Sequence, residues 1–316
     1  MSWGLPLLAA LFAWWAGTLA VLLLARTRGR ARRLALVGSW AVALLVLPLL
    51  LLLRPMDSVG AVYLGFATGL VLWGWQELLF LQGVAIGPRR TPSRPDREGL
   101  ARVQEAVEAI AHHEIWLFAV LGVLGVLAWG ATLPVALLTF GLLWAMRLSA
   151  KLNLFYGVPY PNGHLFPPRV RHLASFLGRP RRSSFLLVSL VGWAGLATWL
   201  FLQGLGNEAP GTSTAFFLLS GLTALGALEH LAFLFHFPLE GLWRWEEDAE
   251  VLDAPVDGDR PGGDAGDGAG APERLRGGPD NVSKGRGPLV VPTGVRRSCS
   301  QAPSPAPQAR PSASHG

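Results

Sequence analysis

Seven apolar segments, separated by stretches of alternating charge, leave this chain few folds other than a bundle of membrane-crossing helices. A helix rises 1.5 Å per residue, so about 20 residues of low polarity cross a hydrocarbon core of roughly 30 Å. Segments of that kind cover residues 5–24, 34–53, 59–84, 113–129, 133–152, 184–203 and 214–236. The first connecting stretch carries Arg26, Arg28, Arg30, Arg32 and Arg33, and the third carries Arg89, Arg90, Arg94, Arg97 and Arg102. The fifth carries Arg147, Lys151, Arg169, Arg171, Arg179, Arg181 and Arg182, whereas the second, fourth and sixth together offer only Arg54. Lys and Arg accumulate in cytoplasmic loops during insertion. The expected fold is therefore all-α: a polytopic membrane helix bundle of about seven transmembrane helices, N-terminus outside and C-terminus cytoplasmic.

Composition narrows the function classes. A net charge of +6 would point to nucleic acid in a soluble protein. Here the arginines fall in the inside loops, where they face anionic lipid, so membrane lipids and not nucleic acid are the expected partners. The single cysteine, Cys299, excludes an intramolecular disulfide or a Cys-based metal motif. Met1 to Pro6 has no basic n-region, so the first segment reads as an uncleaved span. From Glu246 onward the chain is rich in Gly, Pro, Ser and charge, with few residues to bury. Residues 1–245 thus form the expected transmembrane domain and 246–316 a disordered cytoplasmic tail. On that topology the sequon Asn281-Val282-Ser283 faces the cytoplasm.

Short interfacial helices are expected on the cytoplasmic side. Leu100, Val103, Val107 and Ile110 recur at helical spacing among Arg97, Glu98, Arg102 and Glu105, the pattern of a helix lying on the membrane surface before the fourth span. Pro168 opens a second such element, with Val170, Leu173, Ala174 and Leu177 on one face. Gly130, Ala131 and Thr132 predict a tight hairpin between spans four and five. Small residues through span seven (Ser220, Gly221, Thr223, Ala224, Gly226 and Ala227) permit close approach of a neighbouring helix.

Ionisable residues inside spans are costly, about 2.5–3.5 kcal/mol at the centre on insertion scales, so each needs a reason. Counting from the helix ends gives one, because Glu77, His113, Glu114, Arg147, Lys151, Glu229 and His230 all fall in the cytoplasmic leaflet. Trp144, Arg147 and Lys151 share a face of span five, whereas His230 points about 100° away from Glu229. These groups can pair with one another and tie the helices together. They can also hold a ligand: His113 and His230 are placed to act as axial ligands to a haem iron or to the magnesium of a chlorophyll-type pigment. A catalytic metal or a proton path are further uses, although the Glu-x-x-His pairs of di-iron bundles are absent and the outer halves hold almost no polar groups. Trp73, Trp75 and Trp144 share this depth, in position to flank a planar ligand or to pack between helices.

Several strings resemble the PuhE-type photosynthetic complex assembly proteins of purple photosynthetic bacteria. They are Trp73-Gly74-Trp75-Gln76-Glu77, His113-Glu114, the run from Leu143 to Asn153 followed by Gly157-Val158-Pro159, Leu173-Ala174-Ser175-Phe176, Leu228-Glu229-His230 and Leu242-Trp243-Arg244-Trp245. The resemblance spans most of residues 60–245. It implies a multi-pass protein of the inner, intracytoplasmic photosynthetic membrane that assists assembly of reaction-centre or light-harvesting complexes and is linked to bacteriochlorophyll supply. The family strings include Asn153 and coincide with the polar cluster, which would hold a partner subunit, bacteriochlorophyll or a precursor. A metal-dependent membrane enzyme of bacteriochlorophyll or tetrapyrrole metabolism using the same Glu/His set is the alternative, with a transporter third.

Overall fold

The computed structural model describes residues 3–161 and 166–235. Among them the order is α1 (Gly4–Ala25), α2 (Gly29–Val46), α3 (Leu49–Leu53), α4 (Val59–Leu81), α5 (Gly99–Leu127), α6 (Val135–Tyr156), a 3-10 helix (Pro168–Phe176), α7 (Ser184–Gly206) and α8 (Pro210–Ala232). With α2 and α3 taken as one interrupted span, seven helices are long and apolar enough to cross a membrane. The protein is a polytopic, all-helical membrane bundle. The tail from residue 246 onward, and His236, lie outside the described residues.

Packing follows from residue size. Helix α4 touches α1, α2, α5, α6 and α8, and α8 touches α1, α4, α6 and α7. These two central helices are the ones studded with Gly, Ala, Ser and Thr. A Cβ on Gly69 of α4 would lie 2.8 Å from the Ala136 carbonyl oxygen of α6, so only glycine permits that crossing. On α8, Gly221 meets Ala10 of α1 and Gly226 meets the Met146 thioether of α6. Outward faces carry Phe12, Leu45, Val126 and other large exposed apolar groups, the surface a lipid solvent favours.

Three local features depart from the expected elements. The second span is not continuous: Pro48 cannot donate to the helical ladder, and the chain is interrupted between Val46 and Leu49. The amphipathic stretch around Leu100 to Ile110 is no separate surface helix but the first half of α5, a single helix of 29 residues. No Gly or Pro occurs from Leu100 to Leu121 to break it, and its roughly 43 Å exceeds the hydrocarbon thickness, so one end extends past the core. The element at Pro168 is a 3-10 helix whose buried residues are Val170, Leu173 and Phe176, three apart as three residues per turn require. They pack on Phe80, Ile86 and Ala109, so this face is buried against protein and not laid on lipid.

At the other end of the bundle the α5–α6 connection is the tight turn the sequence predicts. The solitary cation there has a structural use: the Arg54 guanidinium donates to the Trp129 carbonyl, and the Arg54 carbonyl accepts from the Thr132 amide at 3.0 Å.

Candidate functional site

Helix α6 organises the polar residues, because Trp144, Arg147 and Lys151 lie three and four residues apart and face two neighbours. Arg147 reaches α4, where an Nη2–H donates to Glu77 Oε2 at 3.2 Å. Lys151 reaches α5 and donates to Glu114 Oε1 at 2.6 Å, while the Trp144 indole N–H lies 3.4 Å from the other oxygen of the same carboxylate. Two ion pairs therefore join three helices at one depth. Lys151 also stands over the Phe80 ring, 5.5 Å from its centroid.

His113 lies beside this group without joining it. Its Nε2 is 3.9 Å from Glu77 Oε1, beyond hydrogen-bond reach, and neither ring nitrogen has a partner among the described residues. The side chain is fully buried, with its ring 4.4 Å from that of Phe80. Its backbone amide donates to the Ile86 carbonyl at 2.8 Å. That contact depends on Gly87, whose missing Cβ lets the loop after α4 close onto the backbone of α5 at Glu108 and Ala109.

His230 and Asn153 belong to a second network, on the far face of α6. His230 Nδ1 is 2.8 Å from the Gly226 carbonyl, which can only accept, so this nitrogen carries the hydrogen. Nε2 is then the acceptor for the Ser149 hydroxyl at 2.9 Å, and Ser149 Oγ in turn accepts from the Trp193 indole at 3.2 Å. Asn153 donates to the Ser149 carbonyl and to Ser189 Oγ, both at 3.0 Å. The lone pair an axial ligand would need on His230 is thus already engaged by Ser149.

Glu229 forms no bond in either network, although its charge lies within electrostatic range of Arg147. It is half-buried and makes no hydrogen bond or ion pair among the described residues. Its carboxylate lines a cavity of about 350 Å³ between α1, α4, α6 and α8, together with Glu77 and Arg147. Trp73 lines this cavity, whereas Trp75 meets Trp40 edge-to-face, with ring centroids 4.6 Å apart. Pro161, Phe166 and Pro167 also line it.

Two buried glutamines of α4 and its C-terminal end were not among the candidate site residues. Gln82 is fully buried, accepts from Arg32 at 2.8 Å and donates to the Leu24 carbonyl at 2.8 Å, pinning the end of α1 and the start of α2 to α4. Gln76 is also fully buried, with neither amide atom partnered among the described residues. Both lie in a segment dominated by apolar residues, where an amide side chain within an apolar run is the available signal. Outside the spans, burial with Arg32 and Arg28 nearby lowers the Arg169 guanidinium from its ordinary value. Burial and Arg90 likewise hold His172 below the usual imidazole range. Among the described residues no three His, Cys, Asp or Glu side chains converge closely enough to share a metal ion.

The family model described as a protein of unknown function (DUF3623) matches residues 1–252. The chain belongs to this family. A relative from Rhodobacter capsulatus, described as an uncharacterized 30.4 kDa protein in the puhA 5′ region, is 34% identical over 269 residues. The match covers 81% of this chain and 97% of the relative. No solved structure matches the chain. The DUF3623 region takes in every described helix, and with them both ion pairs, the His230 network and the cavity.

Proposed function

We propose that this DUF3623 protein is a PuhE-type inner-membrane assembly factor for photosynthetic reaction-centre and light-harvesting complexes, linked to bacteriochlorophyll supply. The observation that carries the reading is a relative, matched over nearly its whole length, encoded in the 5′ region of puhA. Supporting it, the family-like strings fall on the polar groups described above: Trp73 to Glu77 on α4, His113-Glu114 on α5, Leu143 to Asn153 on α6 and Glu229-His230 on α8. In this reading that cluster lies in the cytoplasmic leaflet and holds a partner subunit, bacteriochlorophyll or a precursor during handover. The N-terminus is outside and the tail of residues 246–316 is cytoplasmic, in keeping with the arginine distribution.

The test is a deletion strain grown under photosynthetic conditions and complemented with the wild-type gene. Membranes are assayed by near-infrared absorbance for reaction-centre and antenna bands, and the tagged protein is purified from the complemented strain. Loss of one or both complexes at normal transcript levels, restored by complementation, is the expected result. Co-elution of pigment bands or of complex subunits would assign the cluster to handover. Unchanged complex levels in the deletion strain would refute the assembly role.

A further inference from the structure

We propose that the cavity between α1, α4, α6 and α8 binds a single-chain amphiphile with a cationic, hydrogen-bond-donating head, the head seated on Glu229 and the chain lying between α1 and α4.

The shape sets the body of the ligand. On α4 the wall runs from Leu70 through Trp73 to Glu77, and on α1 from Ala13 and Trp14 to Leu22. At 1.5 Å per residue these walls are roughly 10 and 13 Å long; the α4 wall reaches the charge of Glu77, and the α1 wall carries none. A volume of about 350 Å³ lies within the range of small-molecule sites. A partner helix, about 10 Å across with its side chains, does not fit inside it. The occupant is therefore a chain or small molecule and not another transmembrane segment.

The charges set the head. Glu77, Glu114 and Glu229 face Arg147 and Lys151, and each cation is already held by one carboxylate, at 3.2 Å for Arg147 and 2.6 Å for Lys151. Glu229 is the carboxylate left over, and it lines the slot together with Gly226, one turn before it on α8. A cation there gains a partner in a region of low dielectric, where an unpaired carboxylate is costly. An anionic head would meet Glu229 and Glu77 together, which selects against it.

The site shares Arg147 and Glu229 with the cluster assigned to handover, but binding to purified protein does not depend on an assembly role. The probes are dodecylamine, dodecanol and dodecanoate, titrated calorimetrically into the full-length protein in phosphatidylcholine nanodiscs, with empty nanodiscs subtracted. Dodecylamine should bind saturably at one per chain, and the other two at least about tenfold more weakly, a difference of about 1.4 kcal/mol. Glu229→Gln should weaken dodecylamine about tenfold while Glu229→Asp retains most of the affinity. Gly17→Leu should remove binding: nothing lies within 4 Å of a Cβ at Gly17, so the side chain fills the slot without displacing its neighbours. No saturable heat, equal affinity in Glu229→Gln and Gly17→Leu, or tighter dodecanoate binding would each overturn the proposal. Normal complex levels in a deletion strain would refute the assembly role and leave this binding result standing. Unaltered binding in both variants would do the reverse.

Discussion

Arg147→Met removes one partner of the ion pair that joins α6 to α4, and the structure indicates the size of the effect. The Glu77 side chain is only 11% exposed, against 35% for Arg147, so the carboxylate is the partner that water cannot rescue. Breaking a buried pair from one side commonly costs about 3–5 kcal/mol, because the remaining charge is stranded. Arg147→Met should fall in that range, and Glu77→Gln below it, since the stranded guanidinium is partly exposed and has Glu229 nearby as a second carboxylate. The double variant should recover much of the loss, with a coupling energy of about 2–3 kcal/mol. The assay is equilibrium unfolding of the detergent-purified protein in a denaturing surfactant, run as a double-mutant cycle. An ordinary interhelical hydrogen bond in a membrane gives a coupling of only about 0.6 kcal/mol. A coupling that small, or singles whose losses simply add, would refute the claim that this is a buried charge pair.

Reporter fusions check the orientation: a periplasm-active reporter should work at Met56 and Asn207, and an active cytoplasmic reporter at Asn207 would mean that α5 and α6 do not cross as two separate spans. Gly69→Val should destabilise the bundle by at least about 1–3 kcal/mol, read by thermal unfolding, because its side chain would meet the Ala136 carbonyl and Thr139. Truncation after Asp248 should leave membrane accumulation of the core unchanged on an immunoblot, since the tail has few apolar residues to pack. Ser149→Ala should cost about 1–3 kcal/mol in thermal unfolding by leaving His230 Nε2 and the Trp193 indole without their partner.

Span number was legible because it depends on one-dimensional properties: run length, hydropathy and the sign of the connecting charge. Counting from helix ends worked for α4 and α6 but not for α5, which starts at Gly99, so that His113 and Glu114 sit in its middle and not at its opening. The choice of neighbours was not legible. Glu77, Glu114 and Glu229 come to one level, and periodicity says nothing of which carboxylate Arg147 meets. That choice is made by packing, where Gly65 and Gly69 bring α4 against the start of α6 and so put Glu77 opposite Arg147. The same limit hid α1. Its sequence is a generic apolar run, yet Trp14 and Gly17 form one side of the cavity only because Gly221 lets α8 approach Ala10. Pro48 was a visible interruption that an unbroken hydrophobic count passes over.

Helix α6 shows why one stretch carries most of the recognisable pattern. Between Trp144 and Asn153 nearly every polar side chain has a different helix to hold: Arg147 takes α4, Trp144 and Lys151 take α5, Ser149 takes both α7 and α8, and Asn153 takes α7. A polar residue in lipid is tolerated where such a partner exists, so each is constrained by a specific neighbour and not by hydropathy alone. Glu229 lacks that justification. It stands in the central bundle with no ion pair among the described residues, on the wall of a cavity whose other charges are already satisfied. The residues that tie the helices and the residue left open to the cavity are thus chemically separable. Ser149→Ala should therefore register in stability, whereas Glu229→Gln should change what the cavity accepts while leaving the bundle intact.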